Sequence, residues 1–411
     1  MENNTSSVPI IFFAVATLAL TLTGTAAAGE KVLFDFNGTD GNGAYSALIF
    51  DASGNLYGTT TGGGTYGGGT VFELTPKTKA GWTQKVLHSF DPNGIDGVAP
   101  YTRLIFDSKG NLYGTTNNGG PNNVGTVFEL SPSEGGTWTE SILYSFQNNE
   151  IDGTNPYGAL IFDSSGSLYG TTAGGGYFYG TVYKLSPSKK GWTETILYNF
   201  NSYSGDATGP YSGLVFDGAG NLYGSTTSGG AYGNGTVFEL TPESGGTWTE
   251  TVLFSFDGQN STGDGPGATP VFDAAGNLYG TTIYGGYYDS GMVYELTPPK
   301  EGGAWTETIL HSFEPSDWDG GNPFGGLVLD SADNLYGTTN LGGRYNQGTV
   351  FEISPKKGGG WTEKLLHTFL NNGKDGRNPY CNLVSDTVGN LYGVAYAGGT
   401  ENDGMVFEIT N

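Results

Sequence analysis

The chain has one cysteine, three histidines, and only 16 basic side chains against 40 acidic ones in 411 residues. With Cys381 alone, no intramolecular disulfide is possible, so stability has to come from packing. A formal net charge of −24 excludes the basic surface that phosphate backbones require, and nucleic acid is not an expected partner. After the first segment there is no long apolar run, and hydrophobic residues nowhere recur at helical spacing. Membrane-spanning helices and helical bundles are thereby excluded for the bulk of the chain.

Glycine is abundant at 73 residues, and it comes with 26 Tyr, 23 Phe and 7 Trp. Disordered chains are poor in aromatics, so glycine here marks turns between short strands rather than disorder.

Val8 to Gly24 are almost all apolar or small, and Ala26-Ala27-Ala28 offers a small-residue cleavage site. Residues 1–28 are therefore expected to be a secretory signal peptide, although they lack Lys and Arg. An uncleaved membrane anchor is the alternative, since the run sits near the lower limit for a span. Residues 29–411 would then form one exported domain, periplasmic or extracellular.

Asn55-Leu56-Tyr57-Gly58 returns at Asn111, Ser167 (as Ser-Leu-Tyr-Gly), Asn221, Asn277, Asn334 and Asn390, at spacings of 56, 56, 54, 56, 57 and 56 residues. A fixed period of this length means one supersecondary unit used repeatedly. In the second copy, residues 101–107 read as strand A. The Asp107-to-Asn111 turn leads to strand B at 111–116, and a glycine-rich loop to strand C at 126–130. Strand D spans 138–146, where Trp138, Ile142, Tyr144 and Phe146 alternate with mostly small residues on the other face. Such a four-stranded meander has two faces to bury. Seven of them stacked radially predict an all-β, seven-bladed propeller; an open solenoid would need polar end caps. Residues 31–36 look like a D strand with no A, B or C before it, and 404–409 like a C strand with no D after it. The two ends are expected to pair, closing the ring and hiding both edges.

The unit Leu-Ile-Phe-Asp-x-x-Gly-Asn-Leu-Tyr-Gly-Thr-Thr, followed by Gly-Thr-Val-Phe-Glu-Leu and Trp-Thr-Glu, resembles the GloVer (Gloeo/Verruco) tandem repeat of exported bacterial proteins with assorted anchors. Its A–B hairpin is similar to that of NHL-type propellers. The resemblance implies an exported or surface protein and brings no catalytic residues with it. The chain ends at Asn411 directly after the last repeat, so release rather than covalent anchoring is expected.

Candidate functional residues are sought where the copies differ. Arg103 stands before the strand A core where the other copies have Ala47, Ala159, Gly213, Thr269, Gly326 and Asn382. In a propeller this strand lines the central channel, so Arg103, with Asn382, could hold an anion, or Arg103 could pair with an Asp as filler. The B–C loops carry Tyr66, Tyr177, Phe178, Tyr179, Tyr232, Tyr284, Tyr287, Tyr288 and Tyr345, and Trp318 lies in a D–A loop. Such a rim suits carbohydrate or a surface protein, unless the rings plug their own loops. Asp40, Asp96, Asp152, Asp206, Asp264, Asp319 and Asp375 recur in the D–A loops, six of them 11 residues before the Asp that ends strand A and Asp264 9 before. They read as Asp-Gly turns or, more sharply, as a ring of cation sites for calcium. His88, His311 and His367 share one strand D position with Tyr144, Tyr198 and Phe254, which suits packing rather than a shared metal. The expectation is a monomeric, non-catalytic binding or scaffold propeller. The alternative is a sugar-acting lyase or lactonase at the channel mouth, and a third reading is a structural envelope component.

Overall fold

A computed structural model of the protein describes residues 29–201, 205–258, 262–300, 302–315, 318–370 and 372–410. Residues 1–28, on which the leader reading rests, lie outside them.

The repeat folds as expected into a seven-bladed propeller of four-stranded antiparallel sheets. In the second blade strand A is Ile105–Phe106, B is Leu112–Thr116, C is Thr126–Pro132 and D is Trp138–Ser145, hydrogen-bonded in that order. The seventh blade takes Val384–Ser385, Leu391–Ala395 and Met405–Thr410 from the end of the chain and its fourth strand, Gly29–Asp35, from the start. Lys31 pairs with Glu408 and Asp35 with Met405, and Phe36 N donates to Gly404 O at 3.0 Å. The expected closure is therefore present, and no sheet edge is left open between the two ends.

The A–B hairpin is built by its aspartate. Asp107 Oδ1 accepts from the backbone N–H of Lys109 (2.8 Å) and Asn111 (2.9 Å), while Oδ2 accepts from Asn111 Nδ2 and the Tyr113 hydroxyl. Burial would raise this carboxyl's pKa, but the surrounding donors outweigh it and hold Asp107 below the usual range. Gly110 takes a φ of 84°, which favours glycine. Gly114, on strand B, is required for a different reason. A Cβ there would lie 2.7 Å from Phe128 Cζ and 2.9 Å from Leu104 Cδ2.

Two details differ from the sequence reading. Strand A pairs over only two residues, because the innermost strands converge on the axis. A Cβ on Gly158 or Gly325 would strike the backbone carbonyl of Ser212 or Cys381 in the next blade. Side-chain bonds replace the missing ladder: Thr115 N donates to Thr102 Oγ1 at 3.2 Å. Strand D also loses its strict alternation. Val127 faces Tyr144 but Phe128 faces Ile142, so Leu143 is the extra residue of a bulge and turns inward. Its counterparts Leu87, Leu253, Leu310 and Leu366 are core residues.

Seven clusters of buried side chains fill the spaces between blades. Tyr57 of the first blade meets Phe106 (5.1 Å between ring centres) and Trp138 (6.4 Å) of the second, both edge-on. The pattern is repeated by Tyr113 with Trp192 and, across the closure, by Tyr392 with Trp82.

Substituting Gly114→Ala should destabilise the protein by about 1–3 kcal/mol through overpacking, read as a lower urea midpoint at unchanged slope. Removing residues 29–36 should do more: the midpoint should fall and the protein should self-associate, because Met405–Thr410 becomes an open edge. A monomeric, unshifted truncation in sedimentation and melting experiments would refute the closure's role.

Candidate functional site

Within each blade the D–A and B–C loops are tied by a short ribbon, as Gly97–Val98 pairs with Asn118–Gly119. Both loop sets thus share one face, and strand A runs inward from it. The segment that leads into strand A begins with an aromatic residue in six of seven copies: Tyr45, Tyr101, Tyr157, Tyr211, Phe324 and Tyr380, with Gly267 in the seventh. Proline precedes five of these aromatics and packs closely on the preceding blade, where a Cβ on Gly69 would lie 2.7 Å from Pro100 Cδ. The rings form a continuous arc. Tyr211 and Tyr157 are 4.9 Å apart, Tyr157 and Tyr101 5.4 Å, Tyr101 and Tyr45 5.0 Å, Tyr45 and Tyr380 5.0 Å, and Tyr380 and Phe324 5.2 Å. The arc is open at Gly267. Sequence reasoning passed over this collar, although the Pro-aromatic dipeptide was visible in most copies.

The collar borders a central cavity of about 970 Å³, within the range of small-ligand sites. Two residues further along this segment come Ala47, Arg103, Ala159, Gly213, Thr269, Gly326 and Asn382, the positions singled out in the sequence. Arg103 is open to water through the cavity, yet protein surrounds it, and this desolvation draws its guanidinium below its ordinary pKa. Among the described residues it makes no hydrogen bond or ion pair, and no carboxylate lines the cavity. Asn382 is oriented by Gly326, whose N–H donates to its Oδ1 at 2.7 Å, which leaves Nδ2 as a donor. Cys381 is buried, its Sγ donating to the Val394 carbonyl and accepting from the Val394 N–H, and burial pushes its thiol up to about 11.

The loop aromatics Tyr177, Tyr287 and Tyr288 are exposed and lie outside the collar, as do Trp318 and Tyr345. The last two are brought together by Arg344, which lies 5.5 Å from the Trp318 ring and 5.4 Å from the Tyr345 ring.

The D–A aspartates do not meet one another; each sits at a different blade interface. Asp96 Oδ2 accepts from Asp91 N (2.9 Å) and lies 3.2 Å from His88 Nε2, with Glu140 of the next blade beside them. His311–Asp319–Glu363 and His367–Asp375–Glu30 repeat the cluster. In two further blades tyrosine replaces histidine, and Tyr144 donates to Asp152 Oδ2 at 2.8 Å beside Glu194, as Tyr198 does to Asp206 beside Glu250. Asp264 does not belong to this series. Thr262 holds the equivalent place, its Oγ1 accepting from Asp257 N at 2.9 Å, while Asp264 pairs with Tyr284 in the ribbon. Asp40 does occupy the position, but there the neighbouring blade offers Gln84, which donates to its backbone carbonyl. The two interfaces that lack one acid are those where Phe34 or Phe254 replaces His or Tyr. A constant eight-residue step from His or Tyr to Asp was legible in the sequence and would have linked the two residue sets.

Two buried carboxyls side by side cannot both ionise cheaply, and the glutamate keeps its proton. Burial and then the neighbouring Asp push Glu194, Glu250 and Glu363 up to about 8. Glu140 reaches only about 7, because His88 opposes burial there. The Oε1 atoms of these glutamates are buried without a donor; a proton on each lets it donate to the Asp instead.

A closed ring of four-stranded sheets with a collared axial cavity defines a seven-bladed β-propeller. The chain belongs to the Gloeobacter/Verrucomicrobia repeat family, whose model matches residues 19–227 and 210–411. No curated protein matches it. Among solved structures it is similar to the extracellular domain of a protein assigned as a one-component system of B. thetaiotaomicron, with a TM-score of 0.54 and 13% identity, and to an ancestral GH74 enzyme, with 0.58 and 11%. It spans 42% and 48% of those chains while 93% and 90% of its own length is covered, so the likeness is one of fold. Among the described residues no helix is long and apolar enough to cross a membrane.

The raised glutamates set a pH dependence. A carboxyl whose folded pKa exceeds its unfolded value contributes fully below the unfolded pKa, near 4.5, and loses its contribution as pH rises through about 7 to 8. The melting temperature should therefore fall between pH 5 and pH 9, and Glu194→Gln with Glu250→Gln should flatten that fall. Equal slopes in wild type and variant would rule out the shared proton. A melting temperature that differs between calcium and chelator would instead put a cation in the clusters.

Proposed function

We propose that the protein is an exported, non-catalytic binding propeller that takes carbohydrate at its collared face. The observation that carries this reading is the arc of six aromatic rings around the mouth of a ligand-sized cavity. Tyrosine offers an apolar face to sugar C–H groups and a hydroxyl to their polar edges. The apolar leader supports export. A sugar-acting enzyme would need an acid or base at the cavity; the described wall carries a single cation, no carboxylate and no histidine, and burial makes its tyrosines Tyr45, Tyr101, Tyr157 and Tyr380 weaker acids than usual. The exposed tyrosines of the outer loops suit a secondary rim contact, and no cofactor enters this reading.

Glycan-array binding followed by calorimetry on the purified protein tests it. Tyr101→Ala and Tyr380→Ala should each weaken binding about tenfold, or about 1.4 kcal/mol, with little change in melting temperature. Tyr287→Ala with Tyr288→Ala should cost less. Affinity untouched by either collar change would remove the collar as the site, and a blank array would turn the search to protein partners.

A further inference from the structure

We infer that the central cavity selects an acidic ligand: Arg103 receives a carboxylate, and the saccharide held by the collar is of the uronic-acid class. The inference rests on the carbohydrate reading for the sugar and on Arg103 itself for the charge.

Arg103 stands two residues beyond Tyr101 in the segment that leads into strand A, and both line the cavity. The six equivalent residues are small and neutral or carry an amide, so the ring closes without a guanidinium at this place. A filler arginine would lie against an aspartate or glutamate; among the described residues none lines the cavity, and Arg103 makes no ion pair or hydrogen bond. An unpaired, partly desolvated cation is costly, and a bidentate carboxylate offsets that cost. Asn382 Nδ2 adds a neutral donor at the same depth, with its amide fixed by Gly326. The protein's overall negative charge opposes an anion's approach, but at physiological ionic strength exposed charges are screened beyond about 8 Å. Carboxyls of the hairpin turns and blade interfaces accept from backbone donors away from the cavity, as Asp107 and Asp96 do, which leaves Arg103 as the one uncompensated charge in the described cavity wall.

The chain has three arginines, Arg103, Arg344 and Arg377, so a nitrogen-15 spectrum of arginine Nε resolves the one in question. The protein is titrated with an oligogalacturonate, its neutral galactose counterpart and acetate. The oligogalacturonate should shift the Arg103 signal and the neutral sugar should not. Arg103→Ala gives the residue carried by Ala47 and Ala159, so the fold should tolerate it. This change should weaken the acidic sugar at least about tenfold and the neutral one less than about twofold, and Arg103→Lys should lose part of the preference. Higher salt should narrow the gap between the two sugars. Equal affinity of wild type and Arg103→Ala for the acidic sugar would overturn the inference while leaving a sugar site standing. Acetate binding at Arg103 as tightly as the oligogalacturonate would keep the anion site and overturn the uronic-acid assignment. An Arg103 signal that none of the three moves would overturn both parts.

Discussion

A blade of this protein cannot bury its own faces, and contact between neighbouring blades is the constraint on which the rest of the structure depends. Tyr57 of one blade needs Phe106 and Trp138 of the next, and the first blade needs the seventh. A four-stranded sheet standing alone would leave both surfaces wet, whereas seven in a ring bury them. The glycine of each Asn-Leu-Tyr-Gly signal serves this packing. At Gly114 the space a methyl would occupy is already filled by Phe128 and Leu104. The closing strand follows from the same requirement, because an open ring would expose one blade face and one sheet edge.

The same interfaces place polar groups where water cannot easily reach them. In most blades the solution is a trio of His or Tyr, Asp and Glu, drawn from two blades. Backbone N–H groups donate to the Asp, while burial and then that Asp push the Glu up, so the Glu keeps its proton. Where the aromatic is Phe, one acid of the pair is replaced, by Gln84 beside Phe34 and by Thr262 at the Phe254 interface. A hydrogen-bonding ring tip and two acids go together, which is why neither the histidines nor the aspartates could be understood separately.

Repetition also separates what holds the ring together from what differs between copies. Residues that are the same in every copy hold blades together, and they cannot distinguish one ligand from another around a near-symmetric ring. On the axis the copies differ, above all where the collar is broken at Gly267 and where a cation stands at Arg103. Both lie in the one volume that all seven blades share.

By itself the sequence determined the class and count of the units, the hairpin held by Asp107, and the pairing of the chain ends, because period, turn chemistry and alternation are local properties. It also marked Arg103 as the exception among its equivalents. It did not show that strand A would pair over only two residues, that Leu143 would turn inward at a bulge, or that Thr262 rather than Asp264 completes the D–A series. Those are settled by how closely the strands converge on the axis and by which backbone N–H reaches which side chain. The Pro-aromatic dipeptide and the eight-residue step to Asp were visible as repeats, but that they form a collar and Asp–Glu pairs was not, since each contact joins residues of neighbouring blades and only closing the ring brings them together.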